Sequence, residues 1–302
     1  GTIMSSENKL SMKDLKTADP RWCAGCGDYM ILVGLRKLMV KHQIDPAKTV
    51  NVSGIGCSGR MPHYMNTYGF HTIHGRAIPV ALGVRLAQPD TQVFVHSGDG
   101  DSLSIGGNHL LHGLAKNINC VYVLYDNQIY GLTKNQTSPT TQKGQSTMTQ
   151  PEGTWTEPIN PISFALGAGA SFVASTMEWN SAHMLQTLDL ALAHPGFSFV
   201  HIAQRCPKYN PNAWDTKATV QCLVDSKLET YDEKTNPKLA DIVEHDSSDL
   251  TAAYAHAKEV PNCFGLFYKE ERPCYDENLL SQRPKELADR HQLLDRYQLK
   301  NS

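Results

Sequence analysis

The sequence predicts an α/β domain built on a mostly parallel sheet flanked by helices, with a C-terminal tail. Three observations predict it. Short apolar segments alternate with helix-length ones from about residue 49 to 203, the pattern of successive βαβ units with right-handed crossovers. Residues 119–125 (NCVYVLY) form a continuous apolar run, as expected of a strand buried on both faces. Glycine turns follow predicted strands at Gly54-Ile-Gly56 and Gly98-Asp99-Gly100, and open parallel sheets bind their ligands beyond the carboxyl ends of strands.

Each element has its own signal. Residues 1–20 are polar and mixed in charge and read as a loose N-terminal arm. Asp28 is placed to cap a helix from Tyr29 to about Val40, with Ile31, Leu32, Leu35, Leu38 and Met39 near one face. Thr49–Ser53 reads as a strand, residues 75–87 as a helix ending before Pro89, and Gln92–His96 as a β-branched and aromatic strand. Residues 103–116 suit a helix and 119–125 a strand. Residues 135–160 are rich in Thr, Gln, Ser and Pro without periodicity, and are expected to be a mobile flap or a segment ordered by a partner. A short helix (161–168), a strand (171–174), a helix (180–194) and a strand (197–203) follow. The chain therefore divides into an arm (1–20), a main domain (21–210) and an extension (211–302). The extension is more polar and lacks alternation; it reads as a wrapping tail with short helices near 248–258 and 284–297.

Bulk properties exclude several classes. The 302 residues carry a formal charge of −2, with 40% hydrophobic and 19% charged residues. That is a globular composition with no nucleic-acid footprint. No run approaches the apolar length of a membrane span, and no apolar signal-peptide core is evident in residues 1–20, so a cytoplasmic location is expected. Disulfides then explain the eight cysteines poorly; metal ligation, catalysis or packing explain them better.

The most informative motif is Gly98-Asp99-Gly100, followed one βαβ interval later by Asp126-Asn127-Gln128-Ile129. Both segments should reach one edge of the sheet. Magnesium takes an octahedral set of oxygens from carboxylates and phosphates. Asp99 supplies a carboxylate, Asn127 an amide oxygen and the chain near Ile129 a backbone carbonyl. The glycines permit close approach of a diphosphate, and a helix N-terminus favours its charge. The pattern resembles the thiamine diphosphate-binding signature. A lone Gly-Asp-Gly would be an ordinary tight turn; the following Asp-Asn is what weakens that reading. Asp101, on the same turn, counts among the cofactor-binding candidates, with a helix N-cap favoured over metal ligation.

A second constellation lies in the cysteines. Cys23 and Cys26 form a CxxC, Cys57 sits in the turn Gly54–Arg60, and Cys206 follows the last strand of the main domain. Four thiolates in turns suit zinc or an iron–sulfur cluster, and spacing does not choose between them. Cys120 lies inside an apolar strand and reads as core. Cys222, Cys263 and Cys274 show no site spacing.

Together the segments WCAGCGDY (22–29), GIGCSGRMPHY (54–64), HTIHGRAIPVALG (71–83), SGDGDSLSIGGNH (97–109) and YDNQIYGLTKNQTSPTT (125–141) resemble the β subunit of a 2-oxoacid:ferredoxin oxidoreductase, from Trp22 to about Asn210. The resemblance implies a thiamine diphosphate-binding fold and the reversible, coenzyme A-dependent oxidative decarboxylation of a 2-oxoacid. 2-Oxoglutarate is the best candidate and pyruvate the alternative. Thiamine diphosphate with Mg2+ would act as the electron sink, and a [4Fe-4S] cluster on Cys23, Cys26, Cys57 and Cys206 would pass electrons to ferredoxin. The resemblance also implies that Gly56, Cys57, Ser58, Gly59, His74, Gly75 and Arg76 face the thiamine, and that Tyr130, Gly131 and Leu132 line the same site beyond the magnesium turn. Its catalytic candidates are Arg60, His74 and Lys134; Arg60, where some relatives have lysine, and Lys134 would meet the substrate carboxylate or the diphosphate. His74 reads equally well as a hydrogen-bonded core histidine. The glutamate that activates the thiamine is expected from a separate α subunit, in an αβ or (αβ)2 assembly. Two other readings compete: a thiamine decarboxylase or synthase without iron, and a non-catalytic zinc scaffold.

Overall fold

The computed structural model describes residues 9–228 and 240–282. Nine strands form one sheet in the order β10-β9-β11-β7-β8-β4-β3-β1-β2, with β1 Thr49–Ser53, β2 Tyr68–His71, β3 Gln92–Gly98, β4 Cys120–Asp126, β7 Phe172–Met177, β8 Phe197–Ala203, β9 Val220–Val224, β10 Ala240–Glu244 and β11 Cys263–Lys269. A separate hairpin pairs β5 Ile129–Tyr130 with β6 Gln136–Thr137. The strands from β2 to β7 run parallel. Within the described nine-stranded sheet, only β11 against β7 is antiparallel.

Helices cover both faces, and this is why β4 and β8 are buried at every residue and read as apolar runs without alternation. On one face, α2 Ala77–Ala87, α3 Gly107–Lys116, α4 Pro161–Gly167 and α6 Leu250–Ala257 pack with Tyr122, Phe197, Phe199 and Phe267. On the other, α1 Asp28–Lys41 and α5 Ser181–Ala193 pack with Phe94, Tyr125 and Phe172. At the far edge, β2 is exposed at every residue, including Tyr68 at 66% and Phe70 at 48%. No described helix is long and apolar enough to cross a membrane.

The order β8-β4-β3-β1 is what builds the site. It sets the carboxyl ends of four neighbouring parallel strands in a row. Gln204–Cys206 follow β8, Asn127 follows β4, Asp99 follows β3 and Gly54–Cys57 follow β1.

Several expectations are corrected. Residues 211–302 are not simply a wrapping tail: β9, β10 and β11 extend the sheet. The expected helix near 248–258 is α6, whereas that near 284–297 lies outside the described residues, as do positions 1–8 of the N-terminal arm. The described part of that arm is not loose, because Leu15 is fully buried and Lys16 bridges to Met65. Asp28 does not cap α1. Gly27 occupies the cap position, and Asp28 is the first helical residue, with both carboxylate oxygens buried and unpartnered.

A further helix, α7 Tyr275–Ser281, is fastened by a buried ion pair. Arg85 Nε of α2 lies 2.8 Å from Asp276 Oδ2, and Asp276 Oδ1 accepts the Asn119 amide at 3.0 Å. Removing one partner of a buried pair strands the other charge. Asp276→Ala is therefore expected to destabilise the chain by about 3–5 kcal/mol, measured by urea unfolding.

Candidate functional site

Three turns meet at one carboxylate. Asp101, 3% exposed, opens a π-helical turn Asp101–Ile105 after β3. One of its oxygens accepts the Ile55 amide at 3.0 Å, the Gly75 amide at 2.7 Å and His74 Nδ1–H at 2.5 Å; the other accepts the Ser97 hydroxyl. The Gly54 turn, the His74–Arg76 turn and the end of β3 are thus tied together. The expectation that Asp101 is an N-cap is corrected, since no side chain caps this turn. Gly54 is glycine for a steric reason: a Cβ there would stand 1.8 Å from Asp101 Oδ2.

The second carboxylate, Asp99, sits in a hydroxyl clamp. Ser138 and Thr140 both donate to its Oδ2, Thr140 at 2.7 Å. Thr140 also lies 2.9 Å from Asp126 Oδ1, and Asp126 Oδ2 meets His201 Nε2 at 3.0 Å. His201 Nδ1 in turn lies 2.8 Å from the Ser175 hydroxyl. Burial and then the neighbouring Asp126 charge push the Asp99 carboxyl up to about 8. Its clamp comes from the segment expected to be a mobile flap, and that expectation is corrected. Ser138, Thr140, Thr141, Thr147 and Thr154 are buried; Ser138 and Thr140 hold Asp99, Thr141 donates to the Gln128 carbonyl, and Thr147 pairs with Thr137 within the strap.

Between these carboxylates lies a cavity of about 180 Å³. Gly98, Asp99, Gly100 and Asp101 line it from β3; Asn127, Ile129, Tyr130, Gly131 and Leu132 from the β4 turn; Gly56, Cys57 and Ser58 from the β1 turn; and His74 from its own loop. Gly56 has φ +123°, a conformation closed to side chains. Gly100 leaves room for the Tyr130 ring, which a Cβ would approach to 2.3 Å. Gly59, Gly75 and Arg76 do not line this cavity; Gly75 instead binds Asp101, and Arg76 donates to the Ile105 carbonyl. Nor do two catalytic candidates. Arg60 donates to the Arg21 carbonyl at 3.3 Å and lies 5.8 Å from the Tyr64 ring. Lys134 is exposed at φ +75°, just past the cavity-lining Leu132 and Thr133.

The four turn cysteines lie beside this cavity. Trp22 Nε1 donates to the Cys57 carbonyl at 2.8 Å, and the Gly27 amide donates to the Arg205 carbonyl at 3.1 Å, so the CxxC loop is bonded to both other cysteine turns. A Cβ on Gly131 would stand 3.4 Å from Asn127 Nδ2 and 3.7 Å from Cys206 Sγ, which places the turn after β4 against Cys206. The thiols lie in one another's fields. Burial pushes Cys57 up to about 12, with Asp28, Cys206 and Cys23 adding to it. Burial raises Cys26, with additions from Asp28, Cys57 and Cys206, and it raises Cys206 as well. Buried thiols without a countercharge are poor nucleophiles, but a bound cation would reverse this preference. Among the described residues, no three His, Cys, Asp or Glu side chains are spaced to hold a metal ion as they stand. Of the other cysteines, Cys120 is a core residue of β4, and Cys222, Cys263 and Cys274 are buried in the C-terminal region.

The sequence offered little sign of four other residues at this place. Asp28 lines the cavity, and burial raises its carboxyl to about 7. Gln204 lines it between Asn127 and Cys26. Ser138 and Thr140 hold Asp99 from behind it, on a composition-biased loop. In chemical terms the cavity offers a carboxylate and an amide for a cation, backbone turns for a diphosphate, and the Cys57 thiol in the same wall.

The chain resembles known proteins along most of its length. Residues 54–202 match the family model described as the C-terminal thiamine pyrophosphate-binding domain of thiamine pyrophosphate enzymes. It is 39% identical over 292 residues to the 2-oxoglutarate oxidoreductase subunit KorB of Mycobacterium tuberculosis, spanning 87% of this chain and 78% of that protein. It is 34% identical over 271 residues to the 2-oxoacid:ferredoxin oxidoreductase subunit beta of a Sulfolobus species, spanning 87% and 86%. Its fold superposes with a TM-score of 0.83 and 36% identity, over 96% of this chain and 97% of that one, on the 2-oxoglutarate:ferredoxin oxidoreductase from Magnetococcus marinus solved with 2-oxoglutarate, coenzyme A and succinyl-CoA bound.

Asp101→Asn tests the role of the shared carboxylate. The variant puts an NH2 group where only acceptors now serve, so at least one buried donor loses its partner. The expected cost is about 1–3 kcal/mol, read as a lowered thermal midpoint.

Proposed function

The chain belongs to the 2-oxoacid:ferredoxin oxidoreductase β subunits, and from that premise we propose that it carries the thiamine diphosphate, Mg2+ and [4Fe-4S] half of a 2-oxoglutarate:ferredoxin oxidoreductase. The reaction joins 2-oxoglutarate, coenzyme A and two oxidised ferredoxins to give succinyl-CoA, carbon dioxide, two reduced ferredoxins and a proton, and it runs in either direction. The observation that carries this reading is the Asp99–Asn127 cavity, which Cys57 lines and whose Gly131 wall lies beside Cys206.

The residues fit the groups. Asp99, Asn127 and the Ile129 carbonyl would hold Mg2+, whose hard oxygen preference they meet. The glycine turns at 54–56 and 98–100 would admit the diphosphate. Cys23, Cys26, Cys57 and Cys206 would hold the cluster, the thiolate donor set such clusters require. When bound, thiamine diphosphate supplies the electron sink for decarboxylation. The chain's part is to position and to exclude water: Thr140 and Ser138 aim Asp99, and Asp101 fixes His74 at the cavity wall. His74 is the catalytic candidate retained in this reading.

Among the described residues the cavity wall contains Asp28, Asp99 and Asp101 but no glutamate, and the nearby Glu178 is held by Arg205. The thiamine-activating glutamate is therefore assigned to an α subunit, and this chain alone is expected to be inactive. Ferredoxin is the electron partner, and the 2-oxoglutarate preference follows the relatives' named substrate.

The test is anaerobic copurification with the α subunit. About four irons per chain and a brown colour are expected, with ferredoxin reduction faster on 2-oxoglutarate than on pyruvate or branched 2-oxoacids. One zinc without sulfide would overturn the cluster, and a pyruvate preference would overturn the substrate. In the same preparation, Asp99→Ala is expected to lose bound magnesium and thiamine diphosphate, measured by metal analysis and cofactor release; unchanged cofactor content would remove Asp99 from the magnesium site.

A further inference from the structure

We propose that Gln204 is a positioning residue shared by both cofactor sites: its carboxamide oxygen fixes the Asn127 amide at the magnesium turn, and its nitrogen donates to the Cys26 sulfur. The inference rests on the reading above, in which Asn127 faces magnesium and Cys26 holds the cluster.

Gln204 follows β8 directly and is 1% exposed. Its own amide donates to the Asp126 carbonyl at 2.9 Å, so its backbone is pinned to the turn its side chain serves. Asn127 Nδ2 donates to Gln204 Oε1 at 2.9 Å. Gln204 Nε2 lies 3.4 Å from Cys26 Sγ and donates to the Arg205 carbonyl at 2.6 Å. The two NH2 protons are thereby divided between the cysteine loop and the turn that carries Cys206.

Each contact has a consequence. An asparagine amide presents two ends of nearly equal shape, and only its partners decide which faces a ligand. With Nδ2 committed to Gln204, Asn127 offers Oδ1. That oxygen accepts the Ile129 amide at 3.2 Å and retains a second lone pair for a cation. Groups that orient a metal ligand in this way contribute strongly to affinity. At the other end, reduction adds negative charge to a thiolate-held cluster. A donor aimed at a ligating sulfur stabilises the reduced form and raises its potential. Since one side chain makes both contacts, cofactor occupancy and cluster potential are linked, and linkage acts equally in both directions.

Two variants of the anaerobic holoenzyme separate the two bonds. Gln204→Met keeps the length and loses both. Gln204→Glu keeps an oxygen for Asn127 and loses the N–H donor. The readouts are the cluster potential, by EPR-monitored titration, and magnesium-dependent thiamine diphosphate affinity, by calorimetry. Both variants are expected to lower the reduced-to-oxidised ratio at a fixed solution potential about tenfold, or about 59 mV for a one-electron couple. Gln204→Met is expected to weaken cofactor binding about 10–100-fold, with Gln204→Glu close to wild type. An unchanged potential in Gln204→Met, or in Gln204→Glu should the former not fold, overturns the proposal whatever happens to stability. Equal loss of cofactor binding in both variants overturns the role given to the oxygen. A wild-type holoenzyme without iron would instead overturn the functional reading itself, so the two failures are distinguishable.

Discussion

The buried Asp101 carboxylate is the constraint on which the site depends. A carboxylate this deeply buried persists only when its oxygens are well supplied with donors, and here the donors come from two backbone turns, an imidazole and a hydroxyl. Apart from the adjacent His74 and Gly75, these groups are far apart in sequence. Satisfying one charge therefore fixes the relative positions of the β1 turn, the His74 loop and the end of β3. The glycines follow from the same constraint: side chains at Gly54 and Gly75 would strike Asp101 and Gly106.

The sheet order then converts local turns into one site. In a parallel sheet, each strand delivers the residues that follow it to the same edge. Four adjacent strands deliver a cysteine turn, a carboxylate, an amide and a second cysteine turn. The Trp22–Cys57 and Gly27–Arg205 bonds bring in the CxxC loop from outside the sheet. The segment 204–214 closes the back of the Asp126–Asn127 turn: Asn210 and Trp214 donate to its two carbonyls. The hydrogen-bonded route Asn127–Gln204–Cys26 is a product of that closure.

Much of this was legible in the sequence, for identifiable reasons. β1 Thr49–Ser53 and β8 Phe197–Ala203 coincide with the expected strands because β-branched and aromatic runs bounded by glycine or proline have few alternatives. The Gly98–Gly100 and Asp126–Ile129 pair was visible because each residue type answers a demand of one ligand. What was not legible depends on long-range partners. Asp101 looks like a cap because aspartate after a glycine turn usually is one, and nothing local announces donors from residues 55 and 75. Ser138 and Thr140 lie in a segment whose composition resembles disorder, yet their hydroxyls are the structural material of the strap. β9 to β11 lie beyond the alternating region and are separated by loops, so their membership in the sheet has no local signature. Asp28 and Gln204 are single polar residues whose burial only the assembled fold creates.

The exposed β2 edge has a consequence for how such a chain is made. An uncovered strand edge bearing Tyr68 and Phe70 is a template for further pairing, and it offers that template to any neighbour at hand. During synthesis, a strand edge of this kind, with open backbone groups and exposed aromatic side chains, is where unwanted pairing between copies of the chain would begin.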